Sequence, residues 1–222
     1  RRPADTAERT PVDAGERPLR FLYSYGAVYG DPLLNPDLDP YPDGLLQRLA
    51  DVGVNGVWLH VVLRDLAPQG TPGPAAREPQ TDIRERETRL ANLRRLVDRA
   101  GRYGVRIYLY MNEPRAMPES FFVDRPELRG VQEQAFVTLC TSVPAVRAWI
   151  SDSLAHVFGE VPGLGGVFTI SASENLTNCC SHFQQKGCPR CSQRPLADVI
   201  AEVNGAIAEG VRRGAPGARV IV

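Results

Sequence analysis

The stretch "AGRYGVRIYLYMN", residues 100–112, decides the fold. A helical pattern closes at Ala100, the chain turns through Gly101 and Gly104, and an apolar run follows that stops on Asn112. Glycine just past a helix supplies the left-handed backbone that other residues adopt only at a cost. The same order recurs in "DVGVNGVWLHVVL" (51–63), "VPGLGGVFTIS" (161–171) and "GAPGARVIV" (214–222). Helix, glycine turn and short apolar strand therefore form a repeating unit.

Between these junctions lie amphipathic helices. Leu90, Leu93, Leu96, Val97 and Ala100 share one stripe. Val146, Trp149, Ile150, Leu154, Val157 and Phe158 share a second, after Pro144. Leu196, Val199, Ile200, Val203, Ile207 and Val211 share a third, after Pro195. This is 3.6-residue periodicity, with proline where the first helical turn tolerates it. A further helix is predicted near 45–52. The strands, at 19–25, 56–63, 105–112, 166–172 and 219–222, read as near-continuous apolar runs, which suits parallel strands covered by helices. "AFVTLC" (135–140) is a further short extended piece inside a long loop.

Alternating strands and helices predict an α/β protein. The expected architecture is a (β/α)8 TIM-barrel type, truncated after about four and a half βα units, because a closed barrel takes eight strands and ~250 residues. The chain starts on Arg1, ends on a strand-like "ARVIV" and reads as cut at both ends. The rival, a doubly wound open sheet, carries a Gly-rich phosphate loop after its first strand. "YSYGAVYGDP" is a poor match to one. Residues 1–18, polar and aperiodic, read as a disordered arm or linker. Residues 19–222 read as the N-terminal part of a catalytic barrel with a Cys-rich loop at 176–194.

A formal net charge of zero over 222 residues removes the electrostatic argument for nucleic acid or an anionic membrane as partner. No apolar run approaches the ~20 residues that span a bilayer.

In parallel α/β folds the chemistry gathers at the carboxyl ends of the strands. Tyr25, Tyr29 and Asp31 follow the first strand. The second carries His60 and ends in Arg64 and Asp65, the third ends in Asn112, Glu113 and Arg115, and the fourth in Ser173, Glu174 and Asn175. The amino ends hold mainly Gly and Val. Carboxylates, amides and aromatics around one mouth suit a carbohydrate partner, and glycosidic cleavage needs two carboxyl groups. Glu174 is the candidate general acid. Glu113 is its candidate partner, or a sugar-binding residue. Tyr25, His60, Asp65, Asn112, Arg115 and Asn175 are candidate substrate contacts. Each also has an ordinary alternative: strand-end carboxylates bridge to arginine or cap helices, and a histidine in an apolar strand keeps a local hydrogen bond.

"VNGVWLHVVLRDL", "YGVRIYLYMNEPRAMP" and "GVFTISASEN" resemble, in order, the second, third and fourth barrel strands of glycoside hydrolase family 20, the β-hexosaminidases. His60 and Asp65 match on the second, Glu113, Pro114 and Pro118 on the third, and Glu174 falls on that family's proton donor. The resemblance implies a sugar-cleaving barrel. Where the family has Asp before its acid, this chain has Ser173. The Asn112-Glu113-Pro114 triplet is also similar to the acid/base motif of cellulase-type retaining glycosidases, but there it sits on strand four.

Cys179, Cys180, His182, Cys188 and Cys191 fall within thirteen positions, and Cys188-Pro189-Arg190-Cys191 is a Cys-x-x-Cys turn. Four thiolate or imidazole ligands close a tetrahedron around zinc. The expected set is Cys179, His182, Cys188 and Cys191, holding a structural zinc that a loop with few apolar side chains needs. Cys180 is a substitute for either of the first two. Disulfides are the competing reading, with Cys140 as an odd fifth thiol. No organic cofactor is expected. The sequence thus points to a glycosidase. The alternatives are a non-catalytic carbohydrate-binding barrel and a zinc-dependent hydrolase.

Overall fold

The computed structural model describes residues 18–68, 72, 80–172 and 174–222. The arm expected at 1–18 lies outside them, apart from Pro18. In chain order the elements are β1 (Phe21–Leu22), α1 (Asp43–Asp51), β2 (Gly56–His60), α2 (Gln80–Gly101) and β3 (Arg106–Met111). They continue with β4 (Met117–Pro118), β5 (Arg129–Glu133), β6 (Phe136–Leu139), α3 (Pro144–Glu160), β7 (Gly166–Thr169), α4 (Leu196–Gly214) and β8 (Arg219–Ile221).

Five strands form one parallel sheet in the order β1-β2-β3-β7-β8. Its registers are regular: Val57 lies opposite Ile107, Leu109 opposite Val167 and Phe168 opposite Ile221. One helix lies between each successive pair of sheet strands. The result is a curled half-barrel, as the repeating unit predicts. Gly53, Gly104 and Gly163, at three of the helix-to-strand turns, take φ of 81°, 71° and 91°. These are left-handed values that a side chain resists.

Two differences from the sequence reading matter. The extended piece at 135–140 is β6, the middle strand of a separate antiparallel sheet, β4-β6-β5, built into the connection between β3 and α3. The main strands are near-continuous apolar runs, but their two phases differ in burial. Val57, Leu59, Ile107, Leu109, Met111 and Val167 are fully buried in the main core, together with residues of α1 to α4. Their alternating neighbours Trp58, His60, Tyr110 and Phe168 are only half-buried and form an aromatic row. Phe21 and Tyr108 extend that row, with ring centroids 5.0 Å apart. The period-2 alternation of a strand is present, but both phases are hydrophobic.

Loop one, between β1 and α1, is held to the sheet by Tyr41. Its buried hydroxyl donates to the Trp58 carbonyl and accepts from the Ser24 N–H at 3.3 Å. Burial pushes this phenol up to about 12, so it stays a donor at any ordinary pH.

Leu109 sits in the central strand with no exposed surface. Leu109→Ala is expected to cost roughly 2–5 kcal/mol. Urea titration of the variant checks this, and a midpoint unchanged from the parent contradicts the packing described.

Candidate active site

The carboxyl ends of β2, β3 and β7 bring together His60, Asn112, Arg115, Glu174 and Asn175. Arg115 Nη2 lies 2.8 Å from His60 Nε2, and its Nη1 donates to Asn175 Oδ1 at 3.4 Å. Asn175 in turn donates to Asn112 Oδ1 at 3.1 Å. Asn112 is 1% exposed, so this contact fixes an amide at the base of the mouth. Burial, and secondly the Arg115 charge, lower the His60 pKa. A neutral imidazole that accepts from Arg115 at Nε2 carries its proton at Nδ1. Three strand ends are thereby tied by one chain of polar contacts.

Glu174 stands at the rim of this group and is exposed. Among the described residues its carboxylate has no hydrogen-bond or ion-pair partner. Its charge reaches the Tyr110 phenol, which is raised first by burial and then by Glu174. This carboxylate is therefore beside the aromatic row. Ser173 lies outside the described residues.

Glu113 does not share this mouth. It is 1% exposed, and both of its oxygens are occupied. Oε1 accepts the Leu63 N–H at 2.8 Å and Oε2 the Arg115 N–H at 2.9 Å. The expected pairing of Glu113 with Glu174 across a substrate is corrected accordingly. A carboxylate turned inward and bound by two backbone donors fastens loop two, after β2, to the start of loop three, after β3. It is turned away from the mouth that Glu174 faces. Its second contact fixes the backbone of Arg115, the residue whose guanidinium meets His60.

The remaining candidates lie to one side. Asp65 is half-buried beside a cavity of about 110 Å³ lined by Asp31, Leu33, His60 and Arg89 among others. Burial raises its pKa, against the pull of Arg89 and Arg64. Arg89 pairs with Asp31 at 2.8 Å. Tyr25 is 74% exposed and packs on Tyr29 with centroids 4.7 Å apart, so these rings stand free above the first strand. A larger groove of about 670 Å³ lies between loop one and α2, and none of the strand-end candidates lines it. The half-open mouth is a surface, not a closed pocket.

The aromatic row was not singled out from the sequence. Trp58 stacks on Tyr23 at 4.4 Å, and Tyr110 on Phe168 at 5.2 Å. Its signal was the i, i+2 spacing of Trp58 with His60 and of Tyr108 with Tyr110.

The cysteine loop is also corrected. Cys140, Cys179, Cys188 and Cys191 are the four that converge, with all sulfurs within 4.8 Å of one another and all four residues buried. Such a set can hold a metal ion. His182, expected as a ligand, faces away. Its Nδ1 lies 2.7 Å from Glu133 Oε2 and its Nε2 lies 3.1 Å from the Glu174 carbonyl. Cys180 lies outside the set, with its sulfur 3.8 Å from Gln185 Oε1. Hydrogen bonds from Cys179 and Cys191 hold Cys140 far below the usual thiol range, and the same contact raises Cys179.

No protein-family model matches the chain, and no curated protein does either. Solved structures do. The exo-β-1,4-mannosidase Op5Man5 from Opitutaceae bacterium strain TAV5 is 16% identical, with a TM-score of 0.52 over 99% of this chain and 34% of its own. A GH5_18 enzyme variant from Bifidobacterium longum subsp. longum, in complex with Manβ1-4GlcNAc, is 16% identical, with a TM-score of 0.55 over 91% of this chain and 42% of its own. A β-N-acetylhexosaminidase from Bacteroides fragilis is 12% identical, with a TM-score of 0.49 over 90% of this chain and 40% of its own. The fold is part of a TIM barrel. The chain spans well under half the length of these glycoside hydrolases, and at such identities the likeness is one of fold.

Glu113 generates a pH dependence. Burial raises its pKa from the ordinary 4.5 to about 7, against the backbone donors of Leu63 and Arg115. The folded chain therefore holds this proton more tightly than the unfolded chain does. The resulting stability is fully present below the unfolded value and is lost as pH rises through about 7, a loss on the order of 3 kcal/mol by linkage. Urea midpoints measured from pH 5 to pH 8 are expected to fall, and Glu113→Gln is expected to flatten that slope. A parent chain with no such slope refutes the assignment.

Proposed function

We propose that this chain is part of a glycoside hydrolase that cleaves a glycosidic bond by carboxylate acid/base catalysis, with Glu174 as general acid. The observation that carries the reading is the position of Glu174. An unpaired carboxylate stands beside a row of half-exposed aromatic rings and a fixed array of Asn112, Arg115 and Asn175. Aromatic faces stack on sugar rings, and the amides and guanidinium suit hydroxyl groups. His60, Asp65 and Tyr25 complete the substrate contacts in this reading. Glu174 would protonate the leaving oxygen as the bond breaks.

The second carboxylate of the reaction is not Glu113. This reading assigns it to a barrel strand outside this half-barrel. Substrate-assisted cleavage of the family 20 type is not part of the proposal, because Ser173 replaces the orienting Asp of that family. A structural zinc in the loop after Glu174 is part of it. A four-thiolate set leaves zinc no open position for a water, so catalysis by the metal finds no support in the donor set.

A non-catalytic carbohydrate-binding barrel is the second reading. One observation favours it: of the two expected carboxylates, only Glu174 reaches the mouth. Protein carrying the complete barrel separates the two. Glu174→Gln is expected to lower turnover of glycosides with poor leaving groups on the order of a hundred- to ten-thousand-fold. Activated aryl glycosides should suffer less, and binding should persist. A variant that keeps the parent rate on poor leaving groups overturns the assignment. Binding with no turnover in the parent favours the second reading.

A further inference from the structure

The four-cysteine set joins two loops that the sequence reading kept apart. Cys140 ends the hairpin of β5 and β6, inside loop three between β3 and α3. Cys179, Cys188 and Cys191 belong to loop four, which follows Glu174. The sulfur of Cys140 lies 3.6 Å from that of Cys188 and 3.7 Å from that of Cys191. A tetrahedron with zinc–sulfur bonds of about 2.3 Å has sulfur–sulfur edges of about 3.8 Å. A disulfide requires about 2.05 Å. The spacing is that of thiolates around one small cation.

The surroundings are built for such a centre. Thr138 Oγ1 lies 3.6 Å from Cys179 Sγ, and Ser142 Oγ lies 3.3 Å from Cys191 Sγ. Hydroxyl donors of this kind stabilise metal-bound thiolates. Arg194, itself paired with Glu202 at 2.6 Å, donates to Ser142 Oγ at 2.8 Å and so holds that hydroxyl beside Cys191. At Gly130 on β5, an added Cβ would stand 2.6 Å from Cys179 Sγ, so the strand passes against the site with no room for a side chain. Val131 and Val199 close the cluster into a small core separate from the main one.

We infer that Cys140, Cys179, Cys188 and Cys191 bind one structural zinc ion, which fastens the β5–β6 hairpin to the loop that carries His182. The four thiols lose their protons to solvent as the metal enters. His182 then bridges Glu133 of the hairpin and the Glu174 carbonyl, so the centre holds the backbone of the candidate acid from behind. This deepens the zinc element of the proposed function, and the metal assignment stands whether or not the barrel cleaves sugar.

Metal analysis of the purified chain tests it without any activity assay. One zinc per chain is expected. Cobalt substitution should give the intense visible bands of a tetrahedral four-thiolate site, and X-ray absorption should show sulfur neighbours alone. Cys140→Ser should lose the metal or the fold, whereas His182→Ala and Cys180→Ser should each retain full zinc. A nitrogen neighbour, or loss of zinc in His182→Ala, would overturn the ligand set. A folded chain that contains no zinc after expression and reconstitution, with its cysteines free or in disulfides, would overturn the site.

Discussion

Everything in this molecule follows from five strands running the same way. Parallel pairing forces each connection to return across the sheet, and the helices that make the return bury one face. The loops that leave the strands then emerge at one edge. Glu113 makes that edge firm: its buried carboxylate ties the backbone of loop two to that of loop three, and Arg115 is held where it meets His60. Burying a charge is costly, and the two backbone N–H groups offset only part of that cost, so the carboxyl holds its proton up to about pH 7. The mouth is shaped by a carboxylate that never faces it.

Loops three and four share the remaining work. Loop three carries a small antiparallel sheet, and loop four is irregular, with few apolar side chains. They are joined by the Ala116 N–H to the Leu176 carbonyl at 3.1 Å, by His182 between Glu133 and Glu174, and by the shared sulfurs. A knot of buried polar residues sits at the base of loop four, where Thr177 Oγ1 donates to the Ser171 carbonyl at 2.8 Å. The segment that bears the candidate acid is thus braced from both sides.

What the sequence made legible was local. Helix stripes and glycine turns rest on spacing within one element, and Leu93, Ile150 and Val203 are buried as their periodicity requires. The polar strand ends were legible because topology alone sends them to one edge. What stayed hidden required contacts between distant segments. Cys140 precedes Cys179 by 39 positions in the chain, and only the fold of the β5–β6 hairpin brings it to the other three. His182 has the spacing of a ligand, but its ring is drawn off by Glu133, a residue of that same hairpin. Glu113 looked like half of a catalytic pair because strand-end position says nothing about which way a side chain turns. The aromatic row escaped notice because both phases of its strands are hydrophobic, and alternation was sought in polarity, not in ring against branched chain.

That row has an optical consequence. The chain contains two tryptophans. Trp149 is 8% exposed within α3, whereas Trp58 is half-exposed and stacked on Tyr23 among the inner rings. Indole emission shifts to the red in contact with water, so the two residues emit at different wavelengths. The red component comes from the open edge of the sheet, and it gives the mouth a built-in fluorophore.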